Sequence, residues 1–335
     1  MRANKSLRYS VTRLGRASKG GWAALSAALL LTGCELTDVQ VEPVPDVIVA
    51  GVTVVATIDP LDPSRIDTRA TALITRFHRQ QERLVPGASV RIVGESGRTL
   101  DLAEESDPLT TCITPYPYPG GTRPPAGSCY FAAKLEAWFA PGERLKLLVT
   151  LPDGGVLTGE SRMPGLFTPL NISLENGRCR LNPDTGYRFE WPHSEGSWAY
   201  IAEARFAGLG ELWSSENPLH LVVTLRGAAA TEVTFPRGFL FEALDNLRAD
   251  DLYRALREGL PDGAGAKVAV GAVDRNWANW TRLGRIETDG EVNIPSVFGD
   301  GTGWFGTGVR WNVSVESRGA GGPGDLPLCG PATND

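Results

Sequence analysis

Short runs of apolar and β-branched residues alternate along the chain with turns rich in Gly and Pro, which is the rhythm of a β protein. Val47–Ile58 (VIVAGVTVVATI) is almost wholly apolar. It is too short to cross a bilayer, which takes about 20 apolar residues, so it predicts a buried strand. Ala70–His78 predicts a second strand. Pro86-Gly87 turns the chain into Ala88–Val93, where apolar and polar positions alternate, and Gly97 leads to Thr99–Leu102. After a long loop come Ser128–Leu135, a Pro141-Gly142 turn and Glu143–Leu151. Pro152-Asp153-Gly154-Gly155 is a hairpin signal into Val156–Ser161. Strands at this spacing predict a β-sandwich over residues 47–168.

Pro164-Gly165 and Pro169 mark a boundary, and residues 169–335 predict a second β-rich domain. Its expected strands are Leu170–Leu174, Tyr187–Trp191, Ser197–Phe206, Leu219–Leu225, Glu232–Phe235, Lys267–Val273 and Thr307–Ser317. A strand ending in Trp191-Pro192, a polar turn and then Tyr200 is common in fibronectin-like sandwiches. Asp250 or Asp251 can cap a short helix that runs through Glu258, with Gly259 just past its end. Leu252, Leu256 and Leu260 give that helix one buried stripe. Trp277 and Trp280 sit three apart, as on one face of a helical turn, and aromatic area of this kind serves the core more often than a ligand. The expected fold class is therefore mainly β: two Ig-like or fibronectin-like β-sandwich domains, with one or two short helices in the second.

The N-terminus follows a different pattern. Residues 1–21 hold six basic residues and no acid, and an apolar run, Trp22–Leu31, comes next. A basic region, a short apolar region and small residues before a cut describe an export signal over residues 1–33. Leu31-Thr32-Gly33-Cys34 resembles the bacterial lipobox at every position: aliphatic, small, small, Cys. That resemblance implies a diacylglyceryl thioether on Cys34, cleavage after Gly33 and acylation of the new amine. Each buried methylene contributes about 0.8 kcal/mol, so several acyl chains anchor a protein durably where one does not. Glu35 follows the cysteine, with no Asp there to act as an inner-membrane retention signal, which directs the expectation to the outer membrane. Residues 34–46 carry two prolines and four acids and read as an extended tether.

Loss of six basic residues and no acid with the leader takes the formal charge from −6 to −12. An acidic chain without a basic cluster argues against nucleic acid as a partner and against electrostatic binding to anionic lipid, leaving the lipid on Cys34 as the membrane contact.

With Cys34 committed to lipid, four cysteines remain: Cys112, Cys129, Cys179 and Cys329. An even count in an exported chain predicts two disulfides, with three possible pairings. Cys112–Cys129 and Cys179–Cys329 is the favoured one. The first pair brackets a Pro/Tyr-rich loop, and the second ties the start of the C-terminal half to its end. No CxxC exists and the three histidines are far apart, so no metal site and no cofactor is expected.

Gly301-Thr-Gly303-Trp-Phe-Gly306 satisfies GxGxxG, but a phosphate cradle needs a helix after it, and the residues that follow alternate like a strand. A glycine-rich turn before a final strand is the better account. Neither a GxSxG elbow nor SxxK, HExxH or a P-loop is present, and no catalytic residue is nominated.

These features together resemble an uncharacterised family of bacterial envelope lipoproteins, the domain of unknown function 4249 type. The lipobox and acidic tether carry the likeness first. Pro86–Ile92 and Pro141–Leu147 are similar to that family's early sandwich, itself similar to carboxypeptidase-regulatory-like domains. Val268–Trp280, Asn293–Gly299 and Trp304–Gly306 carry it near the end. The resemblance implies a setting near TonB-dependent transporters and supplies no functional residues. The expected function is that of a non-enzymatic, lipid-anchored outer-membrane binding or accessory protein. A structural or adhesion protein of the envelope and a hydrolase with an unrecognised site are the alternatives.

Overall fold

The computed structural model describes residues 46–78, 81–106, 112, 126–213, 219–227, 229–240, 250–286, 290–319 and 325–330. The leader, Cys34 and the tether as far as residue 45 lie outside the described residues, as does most of the loop between Cys112 and Cys129.

The architecture is mainly β and is organised around β1 (Val47–Ile58). Its even positions, from Ile48 to Ile58, are buried in the main core. On the other face Val49 and Val55 are buried too, against Trp280 and Trp277 respectively. Burial on both faces explains why β1 reads as an almost wholly apolar run.

β1 is paired on both edges. β2 (Ile66–His78) runs antiparallel along its whole length. β16 (Thr302–Ser317) runs parallel on the other side, from Val49↔Thr302 to Ile58↔Trp311. From β2 the sheet continues through β6 (Ser128–Lys134), β5 (Thr99–Glu105), β4 (Ser89–Gly94), β7 (Arg144–Thr150), β8 (Val156–Arg162) and β15 (Val297–Gly299) back to β16. Nine strands thus close into a barrel-like ring. A short β3 (Gln81–Leu84) adds to β2 from outside the ring.

β16 is long enough to carry the same sheet on beyond the ring. Its second half pairs with β14 (Gly265–Val273), and the sheet runs on through β11 (Ala199–Ala207) to β12 (Leu219–Arg226). On β16's other edge, β9 (Arg178–Leu181) runs parallel to residues 314–317. The separate pair β10 (Tyr187–Glu190) and β13 (Glu232–Phe235) buries Phe189 and Phe235. Phe189 meets Trp311 of β16 with ring centroids 5.8 Å apart. The Trp191–Tyr200 turn closes locally: the two rings lie 5.4 Å apart, and the Tyr200 hydroxyl accepts from the Ser194 amide at 2.8 Å.

Helix α1 (Asp250–Glu258) buries Leu252 and Leu256 completely, and Leu260 just beyond it. α2 (Arg275–Leu283) buries Trp277 and Trp280, each a loss of about 3–5 kcal/mol if cut back to Ala. Asp274 caps its start and Gly284 follows its end.

Three local expectations change. Leu170–Leu174 is not a strand; only Leu170 bridges, to Glu190, because Asn171 takes φ 54° and turns the backbone away. β3 and β9, four residues each, have no readable alternation. β16 starts five residues before Thr307, inside the glycine-rich stretch. Those glycines are set by close packing. A Cβ on Gly301 would lie 2.9 Å from the Ile48 Cβ, and one on Gly306 2.9 Å from the Trp277 Cβ. On Gly303 it would lie 2.8 Å from both N and C of Ala50 and closer still to the Ala50 oxygen.

Candidate functional site

An open groove of about 760 Å³ lies on the outer face of β7, β8 and β15. Strand register builds it. Leu148 pairs with Thr158 and Thr158 with Phe298, so these three side chains lie in one row across the strands. Val93, Lys146 and Glu160 make the next row. Phe298 is 57 % exposed and Leu148 and the neighbouring Val156 38 % each, an apolar floor open to water. Lys146 and Glu160 pair across the strands at 3.9 Å, both well exposed, a contact that contributes little to stability. The Asn293–Ser296 loop forms one wall. Ile294 holds φ 56° immediately before Pro295, an unusual backbone state for a β-branched residue.

Behind the wall lies a buried polar cluster that sequence reading did not nominate. β15 pairs with β16 only at Val297↔Gly303, and past that point side chains join β8 to β16. The Asn276 amide donates to the Glu160 carbonyl at 2.7 Å and to the Phe305 carbonyl at 2.9 Å. The Thr307 hydroxyl donates to the Arg162 carbonyl at 2.6 Å. Asp274 accepts four hydrogen bonds: from Trp277 N at 3.0 Å and Thr307 N at 3.1 Å on Oδ1, and from Ser161 Oγ at 2.8 Å and Asn276 N at 3.2 Å on Oδ2. Burial pushes the Asp274 carboxyl up to about 6, against the pull of those hydrogen bonds. Asp274 and Ser161 are almost fully shielded from water and Thr307 completely so. The arrangement caps α2 and sutures two strands. The sequence signal for Asp274 was present: an Asp between an apolar strand and a helical turn is an N-cap pattern.

A second carboxylate is used in the same way. Glu143 accepts from Ser96 N at 2.9 Å, Ser96 Oγ at 2.6 Å and Ala140 N at 2.7 Å. Burial raises its pKa, but these hydrogen bonds win and hold the carboxyl below its ordinary value.

Cys34 lies outside the described residues. Cys112 is joined to Cys129 and Cys179 to Cys329, with Cα–Cα separations of 5.8 and 4.8 Å. Neither bridge borders the groove. Trp277 and Trp280 both meet Trp304, which stacks flat on Trp280 with centroids 5.1 Å apart. Their rings cover Val55 and Val49 of β1. Among the described residues no group of three or more His, Cys, Asp or Glu side chains is placed to hold a metal ion, and no helix is long and apolar enough to cross a membrane.

No family model matches the chain, and no curated protein matches it. Among solved structures, the Mu homology domain of Fcho1 from Danio rerio, with bound Eps15 peptide, is 11 % identical. That alignment covers 79 % of this chain and 96 % of that chain, with a TM-score of 0.21, a value that supports no argument about fold or function.

Proposed function

We propose that the protein is a lipid-anchored lipoprotein of the bacterial outer membrane, a non-enzymatic binding or accessory protein working near a TonB-dependent transporter. The observation that carries this reading is Leu31-Thr-Gly-Cys34 after a basic leader, followed by an acidic tether that leads into β1 at residue 47. Two further features support it. The four remaining cysteines are joined in pairs, as suits an oxidising compartment. The hydroxyl–carboxylate contacts Ser161–Asp274 and Ser96–Glu143 are both consumed in holding backbone amides, which favours binding over hydrolysis. The resemblance to lipoproteins of the domain of unknown function 4249 type is part of the same proposal.

We also infer two sandwich-like layers that share β16, in keeping with the Ig-like or fibronectin-like expectation. The packing of Phe189 of β10 on Trp311 of β16, and of Phe235 of β13 on Phe206 of β11, supports the second layer.

Membrane fractionation of Cys34→Ser tests the anchor: the variant should leave the membrane fraction or stay unprocessed, and unchanged lipidation refutes the reading. Crosslinking of the native protein in its envelope tests the role. Recovery of a transporter component supports it, and recovery of none, together with normal growth of the deletion strain on every nutrient tried, defeats it.

A further inference from the structure

We propose that Asp274, Ser161 and Thr307 form a protonation-dependent latch: a proton on the Asp274 carboxyl completes a hydroxyl chain across the seam between β8 and β16, and its loss loosens that seam and the start of α2.

The geometry permits two hydrogen-bond states. With Asp274 ionised, all four of its neighbours donate to it, so the single Ser161 proton points at Oδ2. The Thr307 proton is committed to the Arg162 carbonyl. The Ser161 and Thr307 oxygens then sit 3.0 Å apart with no hydrogen between them. With Asp274 protonated, its O–H donates to Ser161, Ser161 donates to Thr307, and Thr307 still donates to Arg162. Every oxygen in the row is then satisfied, and the proton is exchanged with solvent. Only hydroxyl rotors turn, so neither state needs a backbone shift.

Among the described residues no cation faces the carboxylate to hold it ionised. On β8, Glu160 pairs with Lys146 of β7, and Arg162 donates to the Gly142 carbonyl. Arg275, at the start of α2, stacks over Trp198 at 5.2 Å. Arg310 of β16 donates to Thr57, and Glu203 of β11 faces His220 at 3.4 Å. In the turn before β11, His193 lies 3.5 Å from the Tyr200 hydroxyl. An ionised Asp274 is therefore a buried charge held by dipoles alone, in keeping with a carboxyl raised to about 6 by burial.

The seam is also where the ring has least backbone pairing. β15 contributes three residues there, and Asn276, on the same helical turn as Asp274, spans β8 and β16 with its side-chain amide. Asn276 lines the groove, so loosening the helix start moves a groove residue.

The test is NMR of the full chain with ¹³C-labelled Asp carboxyls, together with amide hydrogen exchange at about pH 5 and about pH 7.5, corrected for intrinsic rates. The Asp274 carboxyl should titrate near 6, and protection of the Trp277 and Thr307 amides should drop by about tenfold or more at the higher pH. Asp274→Asn should abolish that dependence. Thr307→Val keeps all four donors to the ionised form; it removes the hydrogen bond to the Arg162 carbonyl from both states alike, and from the protonated state alone the acceptor that completes the chain, so it should move the midpoint down. A purely structural cap leaves the midpoint unmoved in Thr307→Val, which stays informative if Asp274→Asn does not fold. Titration in the ordinary carboxylate range, pH-independent protection, or an unmoved midpoint in Thr307→Val overturns the proposal.

Discussion

Gly303→Ala should break the ring where it closes. Gly303 has φ 151°, on the side of the backbone map that residues with a Cβ rarely occupy, and it pairs with both Ala50 of β1 and Val297 of β15. An added Cβ would sit 2.8 Å from N and C of Ala50 and nearer still to its oxygen, and all three are backbone atoms of a strand paired on both edges. No side chain can rotate away to make room. Overpacking costs about 1–3 kcal/mol and the backbone conformation about 1–3 kcal/mol more, so the expected loss is about 2–6 kcal/mol. Gly308→Ala is the control. It lies on the same strand, and its nearest neighbour would be the Ala272 oxygen at 3.2 Å, a contact relieved by a few tenths of an ångström. The lower unfolded-state entropy of Ala offsets about 0.4–1 kcal/mol, leaving that variant within about 1 kcal/mol of the parent. Urea denaturation followed by tryptophan fluorescence measures both. If Gly303→Ala is no less stable than Gly308→Ala, the parallel β1–β16 pairing at residue 303 is wrong.

Other expectations are as direct. Replacing Cys179 and Cys329 by Ala opens a cross-link spanning 150 residues, which chain-entropy arguments put at about 5 kcal/mol, against about 3 kcal/mol for the 17-residue Cys112–Cys129 loop; calorimetry of both double variants should rank them in that order. Asp274 should give an acid-favoured component of stability. Its native carboxyl is raised from 3.8 to about 6, so the folded state holds a proton that the unfolded state releases, and stability is lost as pH climbs through that window. The full effect is about 3 kcal/mol; denaturation at pH 4 to 7.5, parent against Asp274→Asn, isolates it, and a pH-independent difference refutes it. Glu143→Ala should cost about 2–3 kcal/mol by stranding the amides of Ser96 and Ala140, whereas Glu160→Ala, in an exposed pair, should be nearly neutral in the same melt.

The first half of the fold was legible because its strands are two-faced. Val90, Ile92, Leu100, Leu102, Leu145, Leu147 and Val149 alternate with exposed neighbours, and burial follows that alternation. α1 was legible from its leucine stripe. The ring closure was not, since a parallel partner far along the chain leaves no mark on local periodicity. The glycines at 301, 303 and 306 showed a familiar spacing whose cause is three separate close approaches. At the seam, Asp274 had a local N-cap signal. Ser161 and Thr307 had none, because each is an ordinary polar residue in a strand until the other is brought against it.

The β1–β16 pairing also sets a clock. Thr57 and Arg310 hydrogen-bond across 253 residues of chain. At about 5–20 residues per second, ribosomal synthesis of that stretch takes roughly 10–50 seconds. Through that interval β1 can fold against β2 but must wait with its second edge bare, a long apolar edge of the kind that invites aggregation. A chain built this way needs a chaperone, or uninterrupted passage to its folding compartment, for the time it takes the last strand to arrive.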